Sequence, residues 1–342
     1  MGNMTFQPRM QSDVPPLACQ ATLELFGFHD GNKIGQSNVS SDTHNSQVPT
    51  CYPIVKWAGG KRQIVPHLSG LAPPKFDRYI EPFLGGGALF FHLISNKNKP
   101  FTAYISDINA ELINVYVAVK DDVEKLIKLL TQHQIEYNKA PEECYYKLRD
   151  NYNLKSCSDG IERAAQFIAL NRTCFNGLYR INSKGKFNVP WGKYVNPSIC
   201  DSNNLRNVSH TLSNCKVTIK AADYKETLLQ NAKEDDLIYL DPPYSPESPT
   251  ANFTKYTTNG FSNKDQDKLA ETYMQLDEMK CKVMLTNSNT PLVRELYAPF
   301  VITEVNSKRA INCKAAKREG HSDLIIRNYS SMVVLGDVGI VM

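Results

Sequence analysis

The residues best suited to chemistry are Asp241, Pro242, Pro243 and Tyr244, directly after the apolar run Leu237-Ile238-Tyr239-Leu240. One carboxylate, prolyl carbonyls with no N–H of their own, and one aromatic ring stand side by side. That set suits an exocyclic amine on a flat base: oxygen acceptors for its N–H bonds and a ring to stack against. The apolar run reads as a strand buried on both faces, of the length a parallel sheet takes. Prolines cannot continue the ladder, so pairing stops at the strand's carboxyl end. Open α/β sheets bind ligands at that edge. Taken alone, the same residues also fit a Pro-rich turn, with Asp241 capping and Tyr244 packing.

A second group surrounds a glycine cluster. Tyr79 to Phe90 reads as a strand, the loop Gly85-Gly86-Gly87 and a helix running to about Ile94. This has the form of the first βα turn of a dinucleotide-type fold, where glycines permit close backbone approach. Gly87 is not followed by Lys-Ser or Lys-Thr, which excludes a P-loop, and G-x-G-x-x-G is absent, which disfavours a nicotinamide dehydrogenase. About twenty residues on, the strand Ala103 to Ser106 ends in Asp107, placed to accept hydrogen bonds from ribose hydroxyls. Asp107 also suits a helix cap, and both roles are compatible. Upstream, Gly59-Gly60 is flanked by Lys56, Lys61 and Arg62, before a helix predicted over Gln63 to Leu68. Trp57 can cover a flat ring and the cations can meet a carboxylate or phosphates; a surface turn with an anchoring Trp is the other reading. Asp223, after the strand Val217 to Lys220, either accepts from an adenine amine or caps a helix.

From Asn171 to Tyr194 there is no acidic residue, and Arg, Lys and Asn interleave with Phe, Tyr, Trp and Gly. Cations can meet phosphates, Arg and Asn can read base edges, and aromatics can wedge between bases. Asn176-Gly177 and Lys184-Gly185 read as turn tips. A solvated hairpin with a few packed aromatics is the plainer alternative.

Regular elements must hold these groups. The pattern is helical from Ala110 to about Asn153, again over Glu162 to Leu170, and over Asp201 to Leu212. After the Asp-Pro-Pro-Tyr strand come a polar loop from Ser245 to Gly260, a helix Asn263 to Met279 and a strand Lys282 to Thr286 ahead of Asn287-Ser288-Asn289. A helix Pro291 to Tyr297 and strands Val301 to Val305 and Asp323 to Asn328 complete a doubly wound α/β order. Lys308, Arg309, Lys314, Lys317 and Arg318 between the last strands suit a phosphate-contacting loop or a solvated hairpin. Residues 1–50, polar and weakly periodic apart from a short helical pattern over Ala21 to Phe28, read as a disordered or loosely attached extension. The apolar tail after Met332 has no physical account.

At 342 residues the chain can bury a large core, and a net charge of +4 permits a nucleic-acid partner without demanding one. The 9 cysteines are scattered with no C-x-x-C pair, so a disulfide framework or zinc site is not expected and a reducing compartment fits. No apolar run nears the roughly 20 residues that cross a bilayer. Neither a signal peptide nor a myristoylation signal is present at the amino terminus. The expectation is a cytoplasmic protein.

Five stretches, in order, resemble the Dam-type DNA adenine-N6 methyltransferases: Lys56-Trp57-Ala58-Gly59-Gly60-Lys61, Glu81-Pro82-Phe83-Leu84-Gly85-Gly86-Gly87, Asn176-Gly177-Leu178-Tyr179-Arg180, Phe187-Asn188-Val189-Pro190-Trp191-Gly192 and Asp241-Pro242-Pro243-Tyr244. Ala251-Asn252-Phe253-Thr254 also looks like the family, and the likeness spans roughly Ile54 to Tyr329. It implies a Rossmann-like S-adenosylmethionine-dependent methyltransferase core, residues 51–115 and 205–330, with an inserted, mainly helical DNA-recognition domain over 116–204. Residues 331–342 remain a tail of unknown role. The implied reaction is methyl transfer to N6 of adenine in duplex GATC, giving S-adenosylhomocysteine, without a metal.

On this likeness Trp57, Lys61, Asp107 and Asp241 line the cofactor site above Gly85 to Gly87, and Phe83 and Asp223 are counted with them. Asp241, Pro242 and Tyr244 are the implied catalytic set. Lys56 would contact a guanine, and Phe175, where the family often has Tyr, would wedge into the stack. Asn176, Leu178, Arg180 and Pro190 would meet base edges, with Arg309 also on the DNA. Implied partners are duplex DNA and, in some settings, a cognate restriction nuclease; a nucleoid-associated monomer away from membranes is expected. Adenine N6 is a poor nucleophile whose base must leave the stack to be reached. Direct in-line transfer needs no covalent enzyme intermediate, so no cysteine is a nucleophile candidate. An RNA adenine methyltransferase or a catalytically silent DNA-binding regulator on the same scaffold are the alternatives, and intact Asp241 and Tyr244 argue against the silent one.

Overall fold

Short apolar runs separated by amphipathic helices assemble into a seven-stranded sheet. The structure is a computed structural model, and it describes residues 48–96, 101–155, 159–245, 261–306 and 322–330. In chain order the elements begin α1 (Val65–Leu71), β1 (Arg78–Glu81), α2 (Ala88–Asn96), β2 (Thr102–Asp107), α3 (Ala110–Asp121), α4 (Val123–Lys139), α5 (Pro141–Leu154) and α6 (Gly160–Thr173). A 3-10 turn over Phe175–Gly177 follows, then α7 (Ser202–Asn214), β3 (Val217–Ala221), α8 (Tyr224–Asn231), β4 (Leu237–Leu240), α9 (Asn263–Glu278), β5 (Lys282–Ser288), α10 (Pro291–Leu296), β6 (Val301–Asn306) and β7 (Ser322–Arg327).

The strand order is β3-β2-β1-β4-β5-β7-β6. The first five strands run parallel, and β7 is antiparallel to both β5 and β6. The chain builds outward from β1 to β3, then returns to place β4 against β1's other side. This reversal makes the switch point of a doubly wound, Rossmann-like sheet, and a crevice opens at the carboxyl ends of the two strands. Neighbouring residues on a strand feed opposite cores: Tyr79, Leu237, Tyr239, Met284 and Ile325 enter one buried cluster, while Ile80, Ile238, Leu240, Leu285 and Ile326 enter the other. Such alternation with both faces apolar is what a strand covered on both sides requires. Leu126, Leu130, Tyr145 and Phe167, from the helices after α3, join the first of these clusters.

The helical stretch expected over Ala110 to Asn153 divides into three helices. Asp122 ends α3 in a non-helical conformation and caps α4, its carboxylate accepting the Lys125 N–H at 3.0 Å. Pro141 then opens α5 from the first-turn position that a proline tolerates. The expected boundaries at 115 and 204 fall within α3 and next to Asn204 of α7, two helices that pack on each other. The helix α8 follows Asp223, whose helix-capping reading it bears out, while its length was not anticipated. The extension up to residue 47, the helical pattern over Ala21 to Phe28, the polar loop beyond Ser245, the basic loop with Arg309 and the tail after Met332 lie outside the described residues.

Candidate active site

The pairing of β4 with β5 sets Leu240 beside Leu285, so the next residues along, Asp241 and Thr286, come side by side at the strand ends. Thr286 Oγ1 donates to Asp241 Oδ1 at 2.7 Å, and the Lys61 ammonium meets the same oxygen at 2.7 Å. Lys61 also donates to the Gly59 carbonyl at 2.6 Å and lies 4.4 Å from the centre of the Tyr244 ring. The Tyr244 hydroxyl reaches Asp323 Oδ2 on β7 at 3.2 Å. Gln266 from α9 donates to the Pro243 carbonyl at 3.0 Å and is itself held by Asn287 at 3.0 Å. Among the described residues no donor meets the Pro242 carbonyl. Burial pushes the Asp241 carboxyl above its usual range, while Lys61 and Thr286 pull it back down. The arrangement offers one carboxylate oxygen and one carbonyl beside an aromatic ring, a receptor for an amine.

Across the switch point, Glu81 ends β1 at 2 % exposure and accepts the Tyr79 hydroxyl at 2.9 Å. Burial drives its carboxyl well above the usual range, with Asp241 and Asp107 adding to the shift. The glycine loop follows. Gly85 has φ +49°, and a Cβ there would lie 2.8 Å from Trp57 Cδ1, so the loop backbone runs directly beneath the indole. Asp107 ties the loop down: its Oδ2 accepts the Gly85 N–H at 3.0 Å and its Oδ1 the Asn109 N–H at 2.9 Å. Each oxygen retains a lone pair for a further donor. Phe83 stacks on Tyr224 with ring centres 5.1 Å apart, forming an apolar wall beside the loop. A carboxylate for hydroxyls, a flat aromatic wall and a glycine cradle together fit a nucleoside.

Trp57 stacks on Tyr179 at 5.7 Å and Phe167 at 6.5 Å, which joins this cradle to the basic aromatic stretch. Asn171, 3 % exposed at the end of α6, accepts the Lys56 N–H at 2.8 Å and donates to the Lys56 and Gly177 carbonyls at 2.8 and 2.9 Å. Asn176 takes φ +55° and Gly177 φ +62°, forming the tight turn that presents Phe175 at 43 % exposure. The Phe175 N–H is held by the Pro190 carbonyl at 2.9 Å. Ile181 pairs with Phe187 in a hairpin whose tip carries Gly185 at φ +70°. Arg180 crosses it, its Nε donating to Asn188 Oδ1 at 2.8 Å. Lys56 Nζ stands 4.7 Å from the Tyr194 ring centre.

Residues 57–311 match the model of the D12 class N6 adenine-specific DNA methyltransferases. The chain belongs to that family. The methyltransferase is 43 % identical over 281 residues to the type II methyltransferase M1.LlaDCHI of Lactococcus lactis subsp. cremoris, covering 82 % of this chain and 96 % of the relative. It is 44 % identical over 289 residues to the type II methyltransferase M.MjaIII of Methanocaldococcus jannaschii, covering 81 % and 99 %. With the DNA adenine methylase of Escherichia coli K12 the identity is 33 % over 273 residues, covering 79 % and 93 %. Family membership carries adenine-N6 methylation of DNA and use of S-adenosylmethionine.

In this methyltransferase Lys61, Asp241 and Tyr244 are in contact, as are Gly85 with both Trp57 and Asp107. Asp223 is the exposed N-cap of α8, its Oδ1 accepting the Lys225 N–H at 2.9 Å. Asp107 does not cap α3; Asn109 does, accepting from Glu111 and Leu112. Leu178 packs against the first core cluster, and Pro190 is exposed. Among the described residues no group of His, Cys, Asp or Glu is placed to hold a metal, and no helix is long and apolar enough to cross a membrane. Sequence reasoning missed Thr286, Gln266, Asp323 and Asn171 as parts of the site. Gln266 carried a signal, since it falls on the stripe of Leu269, Ala270 and Tyr273 that α9 buries. Thr286 carried none, because only cross-strand register brings it to Asp241.

Proposed function

We propose that this methyltransferase acts on adenine in duplex GATC, flipping the base into the crevice between β1 and β4. The observation that carries the reading is a strand-end carboxylate held by Lys61 beside Tyr244, with the Pro243 carbonyl occupied and, among the described residues, no donor on that of Pro242. S-adenosylmethionine supplies a methyl group on a positively charged sulfur, which leaves as a neutral thioether when the methyl passes to nitrogen. Asp107 accepts its ribose hydroxyls, Phe83 covers its adenine, and the backbone from Gly85 to Gly87 lies beneath it. Asp241 Oδ2 and the Pro242 carbonyl accept the two N–H bonds of the substrate amine, directing its lone pair at the methyl. Tyr244 stacks on the flipped ring, and positioning supplies much of the acceleration. As the new N–C bond forms, N6 sheds a proton, which Asp241 Oδ2 is in place to receive. Residues 116–204 serve recognition, with Phe175 filling the gap left in the stack and Lys56, Asn176, Leu178, Arg180 and Pro190 facing base edges.

The test is transfer of labelled methyl from S-adenosylmethionine to an unmethylated GATC duplex, a scrambled duplex and an RNA of the same sequence. Label confined to the GATC duplex is expected. Equal label on the scrambled duplex removes the GATC assignment, and label on RNA alone moves the substrate to RNA. Asp241→Ala is expected to abolish transfer while duplex binding persists; full activity would refute the role of Asp241.

A further inference from the structure

Among the described residues, the carboxylate of Asp241 is loaded on one side only. Both described donors, Lys61 Nζ and Thr286 Oγ1, meet Oδ1 at 2.7 Å, and the side chain as a whole is 20 % exposed. Behind Thr286 stands Tyr239, 1 % exposed on β4, its hydroxyl 3.0 Å from Thr286 Oγ1. Thr286 has a single hydroxyl proton. If that proton points to Asp241, the contact from Tyr239 must run the other way, with the phenol donating and the threonine accepting. Tyr239, Thr286 and Asp241, the first two of them buried, therefore form a one-way chain from the phenol through the threonine to Oδ1. Thr286 and Tyr239 are 0 % and 1 % exposed, so bulk water does not compete for either bond.

We propose that Thr286, backed by Tyr239, is a positioning residue that locks the Asp241 carboxylate by one oxygen and leaves Oδ2 turned to the substrate amine. The proposal rests on the catalytic reading of Asp241 given above. Two donors on Oδ1 fix the carboxylate plane, and Lys61 alone, on a flexible stem, would not. The same bonds favour the ionised form, which is the only form that accepts on both oxygens. This matters because the carboxylate also faces Glu81 and Tyr79 from β1, Tyr239 from β4, Tyr244, and Asp323 from β7. Burial and the carboxylates among these groups push towards protonation, and Thr286 and Lys61 oppose them.

The experiment measures single-turnover methyl transfer against pH for the full chain and for Thr286→Val, Thr286→Ser and Tyr239→Phe, with S-adenosylmethionine and duplex affinities measured separately. A lost hydrogen bond to a charged group predicts that Thr286→Val slows transfer by roughly 10- to 100-fold. Both affinities should hold within about threefold, and the acid limb should move to higher pH. Thr286→Ser, which keeps the hydroxyl, should restore rate and limb, and Tyr239→Phe should show a smaller loss with the same upward movement. An unchanged rate and limb in Thr286→Val, with Asp241→Ala inactive, overturns the relay and spares the catalytic reading. Full activity in Asp241→Ala overturns both. Loss of rate and affinity together, without rescue by serine, shows a merely structural threonine and also overturns it. Should Thr286→Val fail to fold, Tyr239→Phe, which preserves shape, decides by its rate and its limb.

Discussion

A guanidinium can read a guanine edge only if its fork is already aimed, because aiming it during binding loses rotamer entropy. Arg180 is held in this way: Nε donates to Asn188 Oδ1 at 2.8 Å and a terminal nitrogen to the Asn188 carbonyl at 3.2 Å. Neither partner is charged, so the guanidinium keeps its full charge and its remaining donors for DNA. Arg180→Ala is therefore expected to lower discrimination between cognate and single-substitution duplexes by roughly 10- to 100-fold, the value of one bidentate base contact. The slope of log affinity against log salt should barely change, since base contacts specify and phosphate contacts position. Equal weakening on every duplex, with a shallower slope, would make Arg180 a phosphate contact.

At the scale of elements, the joint between the Lys56-to-Lys61 turn and the basic aromatic stretch is a close backbone approach. A Cβ on Gly177 would lie 2.5 Å from Lys56 Cβ and 2.6 Å from Lys56 Cδ, at a φ of +62° that a side chain disfavours. Gly177→Ala should push the turn off Lys56 and strain it, lowering duplex affinity by about 10-fold or more, while S-adenosylmethionine binding stays within about twofold. A matched loss in both affinities would show that the cradle depends on the turn. This joint also marks where sequence reading stops. β4 was legible to the residue, because its apolar run meets prolines that must end it. The two glycine loops were legible because few other residues tolerate their backbone. Of the helix α8 only the cap, Asp223, was legible, because its buried side chains are only Tyr224, Thr227 and Leu228, too few to form a stripe. The bonds of Asn171 and Thr286 were invisible for another reason: each links segments far apart in the chain, and periodicity carries no record of register.

Across the whole molecule, burial of acids at the switch point conflicts with stability. Glu81, Asp107 and Asp241 there, and Asp236 at the opposite, amino end of β4, have carboxyls raised by desolvation. A raised folded value means the folded state holds the proton more tightly than the unfolded chain, whose carboxyls titrate near pH 4. Their contribution is thus full below about pH 4 and is lost as pH rises through the raised values. Glu124, Asp159, Glu226, Asp265 and Glu304 have lowered values and act in the opposite direction, but they lie in surface pairs where solvent screening leaves little. The buried group should win. The Tm of the free protein is expected to fall between pH 5.5 and pH 8.0, and Glu81→Gln, which buries no ionisable group, should narrow that fall by raising the Tm at the upper end. S-adenosylmethionine at about 100 times its Kd should add roughly 2.7 kcal/mol by mass action. On the proposed site the sulfonium would enter near the Asp241 carboxylate, so the gain should be larger at pH 8.0 than at pH 5.5. A Tm that rises across this window would mean that Lys61 and the backbone donors already outweigh desolvation, and that the crevice is built to hold its carboxylates charged before the cofactor arrives.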